Sequence, residues 1–360
     1  MFAKAREVLA VTGHNAPVER VRFHPVDPTL LCTASDDRTV RFWDVRSSGS
    51  VRAVAKIDLL SNPKFGTCPA SVEWHPGSGG GRRYVAVSEK DSAVRVFDAR
   101  KLGGGGTSGA RLRSPNGPAS PTSIAGSANP VRTFWLKPHV LQECHFSPSG
   151  SHLVAATRSG TNGMGELRVW KWDAPGGMLG GQEFLNSHNV FVGHTGSIFS
   201  MRFSPDGTKM ATGGADALVG LWDVATMVCA ATVSRRTKFI RSVSFSHDSR
   251  LVACCSEEDG IDVANSETGE QAGFVDLASR PQQGQGGASG ARFSSTWGGA
   301  DEIAWHPKSY VLACARGSHL TADKWGRGVS GSGGQGSAPA APSPAQYPQV
   351  TVARLNVVAS

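Results

Sequence analysis

GHNAPVERVRFHPVDPTLLCTASDDRTVRFWD, the stretch from Gly13 to Asp44, decides how the rest of the chain is read. Its apolar and polar residues alternate up to Phe23, as in a half-buried strand. The turn HPVDP follows, then a second apolar run, LLCTAS, and a third, TVRFWD. The same order returns as GHTGSIFSMRFSPDGTKMATGGADALVGLWD from Gly193 to Asp223. Working outward, the strand that ends in an aromatic and a turn is found six times: VRFHPVDP near Val21, VEWHPGSG near Val72, CHFSPSG near Cys144, MRFSPDG near Met201, VSFSHDS near Val243 and IAWHPKS near Ile303. Pro fixes φ in these turns, Asp bonds back to the backbone, and Gly accepts positive φ.

Self-similarity at roughly 40–45 residues resembles the WD-repeat β-propeller. The fold expected is therefore all-β, one propeller over residues 1–360, with six blades visible. The first and fourth blades are near consensus, and the fifth and sixth have lost both the GH and the WD. Flexible insertions are expected at about 101–132, 279–299 and 316–349, where Gly, Ser and Pro dominate and too little apolar surface exists to offset ordering entropy. Only Arg6 to Val11 is available as a strand to close the ring, antiparallel to the segment from Val350 to Leu355, and the chain has room for six blades, not seven.

The chain has 360 residues, with 37 Lys+Arg against 29 Asp+Glu and a formal net charge of +8. This balance is compatible with nucleic acid or an acidic partner, and with a plain soluble protein. The seven cysteines form no CxxC pair, and Cys32, Cys254, Cys255 and Cys314 sit in apolar runs, as buried thiols in a reducing compartment do. The N-terminus lacks the apolar core of a signal peptide, and no stretch is long and apolar enough for a membrane span.

Two sets of residues match in order: His14, Thr33, Asp37 and Trp43, and His194, Thr212, Asp216 and Trp222. In each, Thr to Asp is four residues and Asp to Trp is six. A carboxylate takes the His N–H, a hydroxyl bridges to the ring's other nitrogen, and the indole N–H finds an acceptor, so each set is expected to stiffen a blade. His, Ser/Thr and Asp are also the vocabulary of a catalytic triad. The set is copied around the ring, however, and no nucleophile elbow accompanies it. The glycines near Gly103 make no phosphate loop, and the 11 His residues lack metal-ligand spacing. No enzymatic activity, cofactor, metal or small-molecule substrate is expected.

A closer resemblance lies in the C-terminal half. It rests on Ala215-Asp216-Ala217-Leu218-Val219 before Leu-Trp-Asp, on Cys229, on Ser244 to Asp248, on Ile261-Asp262-Val263-Ala264 followed by Glu267-Thr268-Gly269, and on Ala304 to Lys308. These residues resemble the family of subunit 3 of the THO complex. That resemblance implies a non-catalytic nuclear subunit of the THO/TREX assembly, which acts in co-transcriptional mRNA packaging and export. Its partners would be helical scaffold subunits, with the mRNP met indirectly and no membrane; direct RNA contact does not follow. The family is seven-bladed, so the resemblance implies that its first blade has no counterpart here.

Two other readings remain open. Trp43-Asp44-Val45-Arg46 fits the WDxR pattern of receptors that dock to a cullin-ligase adaptor through Trp43, Asp44 and Arg46, with Phe97 to Arg100 as a degenerate copy. The basic run of Arg235, Arg236, Lys238 and Arg241 would serve direct RNA binding, with strong salt dependence. Partner contacts are expected on the rim, near Glu19, Arg38 and Arg241.

Overall fold

The computed structural model describes residues 12–46, 53–59, 68–77, 84–90, 93–102, 129–172, 190–277, 299–316 and 349–354. The chain divides into two compact units, residues 1–201 and 202–360. Six antiparallel sheets follow one another, and apart from a 3₁₀ turn at Ala99–Lys101 the described elements are strands.

The first sheet orders β1 (Val18–Phe23), β2 (Leu30–Ser35), β3 (Thr39–Asp44) and β4 (Ala53–Asp58). The second has β5 (Pro69–Trp74), β6 (Tyr84–Glu89), β7 (Ala93–Asp98) and β8 (Arg132–Trp135), and the third β9 (Val140–Phe146), β10 (His152–Arg158), β11 (Gly165–Lys171) and β12 (Val190–His194). The fourth comprises β13 (Ile198–Phe203), β14 (Lys209–Gly214), β15 (Val219–Asp223) and β16 (Val228–Val233). The fifth comprises β17 (Ile240–Phe245), β18 (Leu251–Ser256), β19 (Ile261–Asn265) and β20 (Gln271–Val275). The sixth has three described strands, β21 (Glu302–Trp305), β22 (Val311–Arg316) and β23 (Gln349–Arg354). The fold is all-β and of the WD-repeat β-propeller class.

The period of two that marks each first strand also builds the core. In β5, Val72 and Trp74 pack on Cys32, Ala34, Val40 and Phe42 of the sheet before. Cys144 and Phe146 do the same on Ala86, Val94 and Val96. In the second unit Val243 and Phe245 pack on Ala211, Val219 and Leu221, and Ile303 and Trp305 on Ala253, Ile261 and Val263. The equivalent pair in the first sheet, Val21 and Phe23, is 48% and 59% exposed. Among the described residues of its unit, no sheet precedes β1 to cover that pair.

Turns fasten neighbouring sheets. His75 donates from Nε2 to the Gly150 carbonyl at 2.8 Å and accepts the Gly77 N–H at Nδ1. Burial holds its pKa below the usual imidazole value. In the second unit the Asp206 N–H bonds Ser249 Oγ at 3.1 Å, and the Tyr310 hydroxyl donates to Asp248.

The three insertions fall mostly on residues 103–128, 278–298 and 317–348, outside the described residues, as does the closing strand from Arg6 to Val11. At the edge of the first insertion Leu102 is buried in the core, and Arg132 opens β8. β23 pairs antiparallel with β22. All seven cysteines are free thiols. Burial pushes the Cys144 and Cys254 thiols up to about 12, so these are unreactive. No described helix is long and apolar enough to cross a membrane.

Candidate functional site

The four residues of the first set meet in one chain of hydrogen bonds. Trp43 Nε1 donates to Thr33 Oγ1 at 2.8 Å, and Thr33 Oγ1 lies 2.6 Å from His14 Nε2. His14 Nδ1 lies 2.8 Å from Asp37 Oδ2. A threonine hydroxyl has one proton, so it accepts from the indole and donates to the imidazole. That assigns His14 the tautomer protonated on Nδ1, which donates to Asp37. β2 supplies Thr33, β3 supplies Trp43, and the turn between them supplies Asp37. The segment before β1 supplies His14, so the set ties the entering chain to the middle of the sheet.

Asp37 is held further by the Thr39 hydroxyl at 2.6 Å, the Thr39 N–H at 3.0 Å, the Asn15 N–H at 3.2 Å and Arg41 at 3.5 Å. Burial alone would raise its pKa. The hydrogen bonds from Thr39, His14 and Asn15 outweigh that and lower it to about 2. As a nucleophile Thr33 is poorly placed, because its hydroxyl is buried and already engaged by the indole. Among the described residues no cluster of His, Cys, Asp and Glu is arranged to hold a metal.

In the fourth sheet Trp222 Nε1 donates to Thr212 Oγ1 at 2.9 Å, the Leu218 N–H bonds Asp216 at 3.2 Å, and His194 is buried. Both turns put the residue after the Asp in the left-handed region, Arg38 at φ 62° and Ala217 at φ 66°. This is the backbone of a three-residue hairpin loop.

The fifth sheet contains a set that the letters GH and WD do not reveal. Strand register makes Ile240 equivalent to Val18, and Ser256 to Ser35. Arg236 then stands where His14 stands, four residues before the strand, and Glu258 stands where Asp37 does. The same bonds form. Arg236 reaches Glu258 at 3.4 Å, the Thr237 N–H bonds Glu258 Oε1 at 3.1 Å as that of Asn15 bonds Asp37, and the Glu258 N–H bonds Ser256 Oγ at 3.2 Å as that of Asp37 bonds Ser35. Cys254 and Ala264 replace Thr33 and Trp43, so the hydroxyl–indole half is apolar. Arg235 adds two bonds to buried Asp262, at 2.7 and 2.9 Å, and one to the Gly269 carbonyl at 2.8 Å. Gln271 donates to the other oxygen of Asp262 at 2.9 Å. An Arg–Arg pair four residues before a strand, with Glu two residues past the next strand, was the available signal.

The expected rim residues lie at two kinds of position. Glu19 and Arg241 both occupy β-bulges, between Val18 and Arg20 and between Ile240 and Ser242, where the extra residue re-aims a side chain. Arg241 forms an ion pair with Glu257. Arg38 is exposed at its hairpin turn. Arg46, of the Trp43-Asp44-Val45-Arg46 pattern, folds back on Asp44 through its Nε at 2.9 and 3.0 Å. Of the basic run, Arg235, Arg236 and Arg241 each hold a carboxylate, and Lys238 is exposed.

The repeat geometry has counterparts in known proteins. The family model "WD domain, G-beta repeat" matches residues 6–44, 185–223 and 227–261. These matches take in both hydroxyl–indole sets and most of the rebuilt one. The chain is 25% identical over 267 residues to THO complex subunit 3 of Arabidopsis thaliana, which covers 74% of this chain and 67% of that protein. It is 22% identical over 243 residues to WD repeat-containing protein AAC3 of Dictyostelium discoideum, covering 68% of this chain and 41% of that one. Transcription initiation factor TFIID subunit 5 of Caenorhabditis elegans matches at 22% over 259 residues, 71% of this chain and 31% of its own length. The chain thus spans less than half of the latter two relatives. The fold is of the WD-repeat β-propeller class, and the chain is similar over most of its length to a THO complex subunit 3.

Proposed function

We propose that this chain is a non-catalytic scaffold subunit of a THO-type complex in the nucleus, acting in co-transcriptional mRNA packaging and export. The supporting observation is the reach of its similarity to THO complex subunit 3, which extends over 267 residues. Its partners in this reading are helical scaffold subunits of THO/TREX, with the mRNP engaged through them. The His–Thr–Asp–Trp sets support a non-catalytic role, since every member of the first is spent on another member. Direct RNA binding draws little support from the basic run, because binding through phosphates needs cations that can exchange their counterions. Three of its four cations already hold carboxylates. The test is affinity purification of the tagged chain from nuclear extract after ribonuclease treatment, read by mass spectrometry. THO scaffold subunits should remain at near-stoichiometric levels. Their loss with the RNA, or recovery of a cullin adaptor in their place, would overturn the reading.

A further inference from the structure

The segment between β16 and β17, residues 234–239, is fastened on both flanks. Upstream, Arg235 is bonded to Asp262, while Arg236 and the Thr237 N–H are bonded to Glu258. Downstream, Arg241 is bonded to Glu257. Between these anchors Lys238 and Phe239 are exposed. Phe239 is 46% exposed. Its equivalents in the first four sheets are Pro17, Cys68, Val140 and Ser197, so an aromatic here is particular to the fifth. A second phenylalanine, Phe274 on β20, is also exposed, and the Arg236 guanidinium lies 5.4 Å over its ring. The described large apolar residues exposed in the second unit are Val228, Phe239 and Phe274, and two of them adjoin this one strap. Glu257, Glu258 and Asp262 are engaged by arginines, whereas Lys238, exposed beside Phe239, is in no ion pair among the described residues.

We propose that Lys238 and Phe239 form a docking surface for a peptide segment that places an apolar side chain next to a carboxylate. The proposal rests on the scaffold reading above and names a surface and a partner chemistry for it. Phe is among the residue types enriched at interfaces, and the Lys238 charge beside it favours an anionic group on the partner. The flanking ion pairs hold the strap in place before a partner arrives, which reduces the ordering entropy of binding. The charge beside the apolar group is positive, which pairs a partner's apolar side chain with a neighbouring carboxylate.

A displayed library of random twelve-residue peptides, selected on the wild-type chain and counter-selected on the Lys238→Glu/Phe239→Ala variant, reads the chemistry directly. Both side chains are exposed, so the variant should melt within about 2 °C of wild type. Selection should converge on peptides with Phe, Leu or Met beside Asp or Glu. By fluorescence anisotropy these should bind at least tenfold more weakly to Lys238→Glu and to Phe239→Ala, and equally well to Val228→Ser. Peptides that bind the double variant as well as wild type, a selection without convergence, or convergence on basic peptides would each overturn the proposal. A single-stranded RNA probe titrated in parallel should not be sensitive to Phe239→Ala; sensitivity there would assign the surface to RNA and overturn the peptide reading. Ribonuclease-resistant recovery of THO subunits is read separately, so either reading can fail without the other.

Discussion

Thr33 sets the direction of the hydrogen-bond chain in the first sheet, because its oxygen accepts from the indole and its one proton goes to the imidazole. Replacing it by Val leaves the buried Trp43 N–H without its acceptor, which should cost about 1–3 kcal/mol. The second sheet shows the compensated form of that change: Val87 stands at the Thr33 position and Phe97 at that of Trp43, both fully buried. Thr33→Val should therefore be partly rescued by Trp43→Phe. A double-mutant cycle by denaturant unfolding should give a coupling of about 1 kcal/mol, and strict additivity would show that the two side chains do not act together. Asp37 carries the pH dependence of this set. Its folded pKa, about 2, lies below the ordinary 3.8, so its contribution is complete above the unfolded value and is lost as pH falls through the folded one. With the side chain 8% exposed, about 1–2 kcal/mol should disappear between about pH 5 and pH 2. Asp37→Asn should flatten that part of the stability profile, and an unchanged acid slope would assign it to other carboxylates. His75 acts at higher pH. Its lowered pKa means that its contribution is present above the ordinary imidazole value and fades as pH falls below it.

At the scale of the element, turns and bulges carry the information. Arg38 and Ala217 occupy the left-handed region without being glycine. Arg38→Gly relieves a local penalty of about 1–2 kcal/mol but loosens the unfolded chain, so stability should be unchanged or higher by about 0.5 kcal/mol. A loss above 1 kcal/mol would mean that the Arg38 side chain supports the fold. Gly150 is the opposite case. It sits at φ 73°, and a Cβ there would lie 2.5 Å from His75 Cε1. Gly150→Ala should destabilise by about 2 kcal/mol or more, visible as a lower urea midpoint. First strands and their turns were legible in the sequence because alternation ending in an aromatic and Pro-Asp-Gly is a strong local signal. The outer strands were not. β16, VCAATV, and β20, QAGFV, have one face in solvent and little alternation, so only their pairing to β15 and β19 identifies them. The fifth-sheet set was also missed, because Arg236 and Glu258 keep the positions of His14 and Asp37 but not their letters. Register, a property of the folded sheet, is what makes the equivalence visible.

For the whole molecule, the sequence carried the fold class and the copying of one unit, and the six described sheets match that pattern. It did not carry how its charges are spent. A formal charge of +8 and a run of four basic residues read as available cations, but in the fifth sheet the arginines face carboxylates of the same sheet. RNA affinity should accordingly be weak at about 0.15 M salt, and log K against log salt should have a slope shallower than about −2, two phosphates' worth or fewer. A slope near −4 would show the basic run open to the backbone of a nucleic acid. In the proposed function the chain joins THO scaffold subunits through protein contacts. The most direct test is reconstitution: the purified chain mixed with purified THO scaffold subunits, free of nucleic acid, then size-exclusion chromatography with light scattering. Co-elution in a complex of defined mass is expected. Separate elution of the chain and the scaffold at micromolar concentrations would contradict it.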